Sequence, residues 1–155
     1  MSEPAGPAEP GDEVQVLSGV APGGLSWVVV CENGKNDELY TFLRVYSGNE
    51  LLVAGSGFGG PKLYPGQIMQ EWRGRTDDLP YFVMARTRSD VERVVAITDL
   101  GVEVELTLSE PVERYGLRFA AAGLPAGHMP MQLRVEAGGT VLETLPQPIP
   151  PFRPR

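Results

Sequence analysis

The chain has 155 residues and a formal net charge of −7, about the length of one domain. It is long enough to bury a core without metal or disulfide. With 42% apolar residues, one cysteine, 19 glycines and 15 prolines, the composition excludes a collagen, a coiled coil, a disulfide knot and a membrane protein. Twenty acidic residues against 13 basic ones disfavour nucleic acid and anionic membrane surfaces as partners, because both are held mainly by lysine and arginine.

Residues 1–12 carry Pro4, Pro7, Pro10, Gly6 and Gly11 and no aliphatic beyond alanine apart from Met1. That composition cannot offset its ordering entropy, so the segment is expected to be disordered. The start has no basic region followed by an apolar one, so no secretory signal is read there. A cytoplasmic location is expected, or an extracytoplasmic one if a leader has been removed.

From Val14 onward the dominant period is two. Val14–Leu17 and the β-branched run Leu25–Glu32 read as strands, separated by Gly/Pro turn residues. A polar loop with Asn33-Gly34 leads to Leu39–Tyr46, and Ser47-Gly48-Asn49 leads to Leu51–Ala54. Gly55–Gly66, with five glycines and two prolines, is expected to be a long loop crossing between sheets. Two further strands follow at 67–73 and 81–87. Val91–Thr98, a turn at Asp99-Leu100-Gly101, and the alternation of Val102, Val104, Leu106 and Leu108 with Glu103, Glu105, Thr107 and Ser109 make a hairpin with one solvated face. Leu117 and Phe119 flank Arg118 in another strand. Leu133 and Val135 begin a last hairpin through Ala137-Gly138-Gly139 into Thr140–Leu145. Helix signals are poor, and no internal repeat or dividing linker stands out. Residues 146–155 hold five prolines and read as an extended polyproline-type tail.

Residues 13–145 are therefore expected to form a single all-β domain, a two-sheet antiparallel β-sandwich of nine to ten short strands. Over about 81–145, the run Val91-x-x-Val94-Val95, the alternating strand, Arg114-Tyr115-Gly116-Leu117-Arg118-Phe119 and the turn Leu124-Pro125-Ala126-Gly127 before Leu133-Arg134-Val135 resemble the later strands of bacterial immunoglobulin-like and fibronectin type III-like β-sandwich modules. The Cys…Trp…Cys spacing of antibody domains is missing, since Trp27 and Cys31 share one strand. The resemblance implies adhesion, protein binding or spacing. It brings no catalytic residue, and it casts Tyr115 as a tyrosine corner bonding back to the backbone.

Chemical constellations are weak. Gly55-Ser56-Gly57-Phe58-Gly59-Gly60-Pro61-Lys62 lacks Walker spacing, and Pro65 opposes the helix a phosphate loop needs. Glu103 and Glu105 lie on the solvated face, and Asp77-Asp78 and Asp37-Glu38 have no dry cleft assigned to them. Cys31 reads as a small buried hydrophobe. His128 is the sole histidine; it sits in a Gly-Pro turn with Met129 and Met131, too few ligands for a metal and no partner for a triad. Asn33, Asn36, Asp37 and Glu38 do not match a calcium loop. No metal, cofactor or catalytic residue is assigned, and no enzyme activity is expected.

Two features point to binding. Phe58, Tyr64 and Trp72 lie in or beside the Gly/Pro loop, where an aromatic recognition patch is expected. Pro148, Pro151 and Arg153 have the spacing by which a polyproline helix docks in an aromatic groove. The sequence thus points to a non-catalytic binding or accessory module for a protein partner. Its rivals are a small-ligand-binding or enzymatic β-barrel and a structural protomer of a larger assembly, for which an oligomer is expected.

Overall fold

The computed structural model describes residues 12–146, and the expected disordered segment and polyproline tail lie outside them except at their innermost residues. Among these residues, twelve strands form three antiparallel four-stranded sheets. The all-β, antiparallel expectation holds. The expectation of nine to ten strands in two sheets does not: the first third of the chain makes a sheet of its own.

That first sheet is a meander of β1 (Glu13–Val20), β2 (Ser26–Asn33), β3 (Leu39–Ser47) and β4 (Glu50–Phe58), paired in sequence order. The second has the order β5 (Met69–Gly74), β6 (Phe82–Arg88), β10 (Leu117–Gly123), β9 (Thr107–Leu108). The third has the order β12 (Thr140–Pro146), β11 (Pro130–Ala137), β7 (Arg93–Thr98), β8 (Glu103–Glu105).

The second sheet is covered on both faces. One face of β6 and β10 packs Val83, Ala85, Ala120 and Ala122 against Val94, Ala96, Leu133 and Val135 of the third sheet. The other packs Phe82, Met84 and Ala121 against Trp27, Val29, Leu43 and Val45 of the meander, with Leu117 and Phe119 meeting Cys31 and Leu39 nearby. This explains why Phe82–Ala85 and Phe119–Ala122 do not alternate: a strand buried on both faces has no wet side to make polar. The three alanines at 120–122 keep side chains short where the backbone is enclosed by two layers.

The 91–108 hairpin forms, but its return strand belongs to two sheets. Glu103–Glu105 pairs with β7 in the third sheet, and Thr107–Leu108 pairs with β10 in the second. Leu106 is the crossing point. It is buried at 2% exposure, and its amide donates to the Val94 carbonyl. The solvated face of the hairpin is an ion-pair ladder: Arg134 bridges Glu103 and Glu136, and Arg93 bridges Glu105 and Glu136. Strand β4 runs through Gly55–Phe58, residues expected in the loop. A Cβ on Gly57 would collide with the Thr41 carbonyl, so glycine is what lets β4 lie this close to β3. The connecting loop is accordingly shorter, 59–68.

No helix among the described residues is long and apolar enough to cross a membrane.

Candidate functional site

The most unusual polar feature of the interior is Arg86. It sits on β6 with its side chain turned toward the meander, in the alternate set Phe82, Met84, Arg86, and it is fully buried. No carboxylate meets it among the described residues. Its guanidinium instead donates to a ring of neutral acceptors. Nε reaches Gln70 Oε1 at 2.6 Å. Nη1 reaches the Leu39 carbonyl at 2.5 Å and Thr41 Oγ1 at 3.1 Å. Nη2 reaches the carbonyls of Gly59, Gly60 and Pro61 at 3.2, 3.4 and 2.7 Å. The Phe58 ring lies 4.6 Å from the guanidinium carbon, a cation–π contact. Burial holds the Arg86 pKa down to about 10, which still leaves it charged at neutral pH.

The consequence is a fixed loop. Three successive carbonyls of 59–61 turn inward to one guanidinium fork, a geometry that lysine could not match. A second chain of bonds extends outward. Gln70 accepts from Arg86 and donates to Gln67 Oε1 at 3.1 Å. The same oxygen accepts the Tyr64 amide at 2.9 Å. Tyr64-Pro65-Gly66-Gln67 closes as a turn through Gln67 N–H to the Tyr64 carbonyl, 2.9 Å. Pro65 pre-sets the first central position, and Gly66, at φ +81°, supplies the second as a type II turn requires. Tyr64 stands on this turn with 57% of its surface exposed, the one aromatic among the exposed large apolar residues described.

Phe58 and Trp72 do not join it in an exposed patch. Phe58 ends β4 opposite Thr41 and packs over Arg86 at the margin of the core between meander and second sheet. Trp72 lies opposite Met84 on β5 and packs into the same core. The register decides this: both partners, Thr41 and Met84, face inward, so the aromatic body opposite each does too. Pro148, Pro151 and Arg153 lie outside the described residues.

Arg86 was not distinguishable in the sequence from its neighbours Arg88 and Arg93, which suggest a loose basic grouping. In the structure the three part company. Arg88 pairs with Asp90, Arg93 with Glu105 and Glu136, and Arg86 goes inward. The one available signal was an arginine in step with Phe82 and Met84 on its strand.

Cys31 is fully buried beside Thr41, Sγ to Oγ1 3.7 Å. Desolvation pushes its thiol up to about 12, so it is a neutral packing group at pH 7. Tyr115 is buried edge-on against Phe119, with ring centroids 6.1 Å apart. Its hydroxyl makes no hydrogen bond to the backbone among the described residues. The expected tyrosine corner is therefore not made: Tyr115 precedes β10, and apolar packing rather than a backbone bond holds it. Among the described residues no three His, Cys, Asp or Glu side chains converge where they could hold a metal.

Comparison with protein-family models, with curated proteins and with solved structures returns no match to this chain, so the all-β architecture stands on the strand pairing alone.

Proposed function

We propose that this chain is a non-catalytic binding or accessory module that engages a protein partner through the 59–67 loop, with Tyr64 at the centre of the contact. The observation that carries the reading is the hydrogen-bond relay from buried Arg86 through Gln70 and Gln67 to the Tyr64 turn. An exposed tyrosine brings large contact area at small side-chain entropy. A loop already held in one conformation loses little further freedom on binding. Both properties suit a recognition anchor and are expensive to maintain in a mere connection, since Arg86 must be desolvated to provide them.

We infer that β5–β12 forms an immunoglobulin-like sandwich carrying the meander on one face. The strand orders β5-β6-β10-β9 and β12-β11-β7 support this, because they follow the A-B-E-D and G-F-C orders of that fold. Tyr115 departs from the pattern, lying before the fifth of these strands rather than the sixth.

The test is a photo-crosslinking amino acid in place of Tyr64, with the same probe at Val141 as control, followed by purification of whatever crosslinks from position 64 alone. The purified partner should bind wild type at least about tenfold more tightly than Tyr64→Ala, the scale of a hot-spot residue, with equal thermal stability of the two proteins. Phe58→Ala and Trp72→Ala should instead lower stability. Equal binding by wild type and Tyr64→Ala would overturn the proposal.

A further inference from the structure

At the far end of β6 from Arg86, a hollow of about 300 Å³ opens between the β5–β6 and β10–β11 loops. Its walls include Arg75, Asp78, Leu79, Tyr81, His128 and Met129. The frame is well tied. The Leu124 amide donates to the Tyr81 carbonyl at 2.9 Å, and the His128 amide to that of Pro125 at 3.1 Å. Met129 N–H donates to Asp99 Oδ1 at 2.9 Å, and Asp99 N–H to the Met129 carbonyl at 2.9 Å. Three loops are thus fastened around one opening, and a pre-formed hollow of this size lies at the lower end of small-ligand sites.

The polar groups in it are unspent. The Arg75 guanidinium lies 5.0 Å from the Tyr81 ring centroid and, among the described residues, meets no carboxylate. Asp78 likewise meets no cation among them, although it lines the same hollow. His128 is held in one tautomer. Thr98 Oγ1 accepts the amides of Leu100 and Val102, both at 3.2 Å, which fills its two lone pairs. Its hydroxyl proton is then directed at His128 Nδ1, 3.0 Å away. The ring proton therefore resides on Nε2, which has no acceptor among the described residues.

We propose that this hollow binds a small zwitterion of the α-amino-acid type. Arg75 and the His128 Nε2–H receive the carboxylate, Asp78 receives the ammonium, and Leu79, Tyr81 and Met129 supply an apolar wall for the side chain. A cation and an anion set apart in one hollow, each without a partner, complement a ligand carrying both charges a short distance apart. Arg75 and Asp78 are exposed, so each contact is screened and the affinity falls in the millimolar range.

The test is an amide-resonance titration of the full chain with L-leucine, with 4-methylpentanoate (the carboxylate alone) and with isopentylamine (the amine alone). L-Leucine should shift residues 75–81 and 126–129 saturably, at least about fivefold more tightly than either half-ligand, a difference of about 1 kcal/mol. Arg75→Gln should abolish L-leucine and 4-methylpentanoate binding alike. Asp78→Asn should remove only the preference for L-leucine over 4-methylpentanoate. Both substitutions are at exposed positions, and the unperturbed spectrum elsewhere confirms the fold. No saturable shift, a half-ligand binding as well as L-leucine, or an Arg75→Gln protein that still binds would each overturn the proposal. Tyr64→Ala should bind L-leucine unchanged, so this site and the Tyr64 loop fail or stand separately.

Discussion

Replacing Arg86 by methionine tests the central structural claim, that one desolvated guanidinium fixes the loop. Methionine fills most of the stem volume but removes every donor. Of the acceptors left behind, the Leu39 carbonyl and Thr41 Oγ1 belong to fully buried residues. Each stranded buried acceptor costs about 1–3 kcal/mol. The carbonyls of 59–61 belong to partly exposed or exposed residues and can turn to water at smaller cost, at the expense of loop order. Against this stands the relief of no longer burying a charge that has no counter-ion. Two such acceptors cost about 2–6 kcal/mol; relief of the unpaired charge offsets part of this, and a net loss above about 1 kcal/mol is expected. Urea unfolding followed by fluorescence of Trp27, which is 1% exposed, reads the loss as a shift in midpoint at constant slope. Hydrogen exchange reads the second consequence: the Tyr64 and Gln67 amides should lose protection far more than those of β7 or β11. Arg86→Lys should rescue neither, since it keeps the charge and lacks the planar fork. A methionine variant within about 0.5 kcal/mol of wild type, the range of ordinary surface changes, with unchanged exchange at Tyr64, would refute the reasoning.

Acid should weaken the fold through the ladder on the third sheet. The arginine partners hold the carboxyls of Glu103 and Glu136 below their ordinary value, as Arg44 does for Glu13. Their contribution is complete above the unfolded carboxyl pKa and is lost as pH falls through the lower folded values. The melting temperature should therefore drop between about pH 5 and pH 2, less steeply in high salt and in Glu103→Gln. A slope identical in Glu103→Gln would assign the acid sensitivity elsewhere. Cys31, neutral and buried, should react with a thiol reagent only at the rate of unfolding; rapid labelling of the native protein would contradict its packing between meander and second sheet.

The sequence was most legible where one face of a strand meets water. Alternation located Val104, Leu106 and Leu108 and the exposed Glu103, Glu105 and Thr107, but it missed at the ends: Val102 is exposed, and Ser109 is buried. Ala137-Gly138-Gly139 located the last hairpin, and its inward residues Leu133 and Val135 are indeed fully buried. Alternation failed where both faces are covered. Phe82–Ala85 and Phe119–Ala122 signal enclosure, yet an unbroken apolar run does not say what encloses it. Glycines were misleading in β4: their turn propensity is local, while the close approach to β3 that requires Gly57 is a tertiary fact.

The candidate site divides along the same line. Length and Gly/Pro content are local properties, and they were enough to place Tyr64 in a loop; the turn that holds it was not legible, since Gln67 reads as the start of the next strand. That Phe58 and Trp72 turn inward while Tyr64 stays outside followed only from the pairing register. That Arg86 anchors the loop depended on three segments distant in sequence meeting around one side chain. Strand period and turn chemistry act within a few residues and are written in the chain's order. The number of sheets, the Leu106 crossing and the fate of a buried charge depend on which surfaces finally come together, and that is settled by packing across the whole molecule.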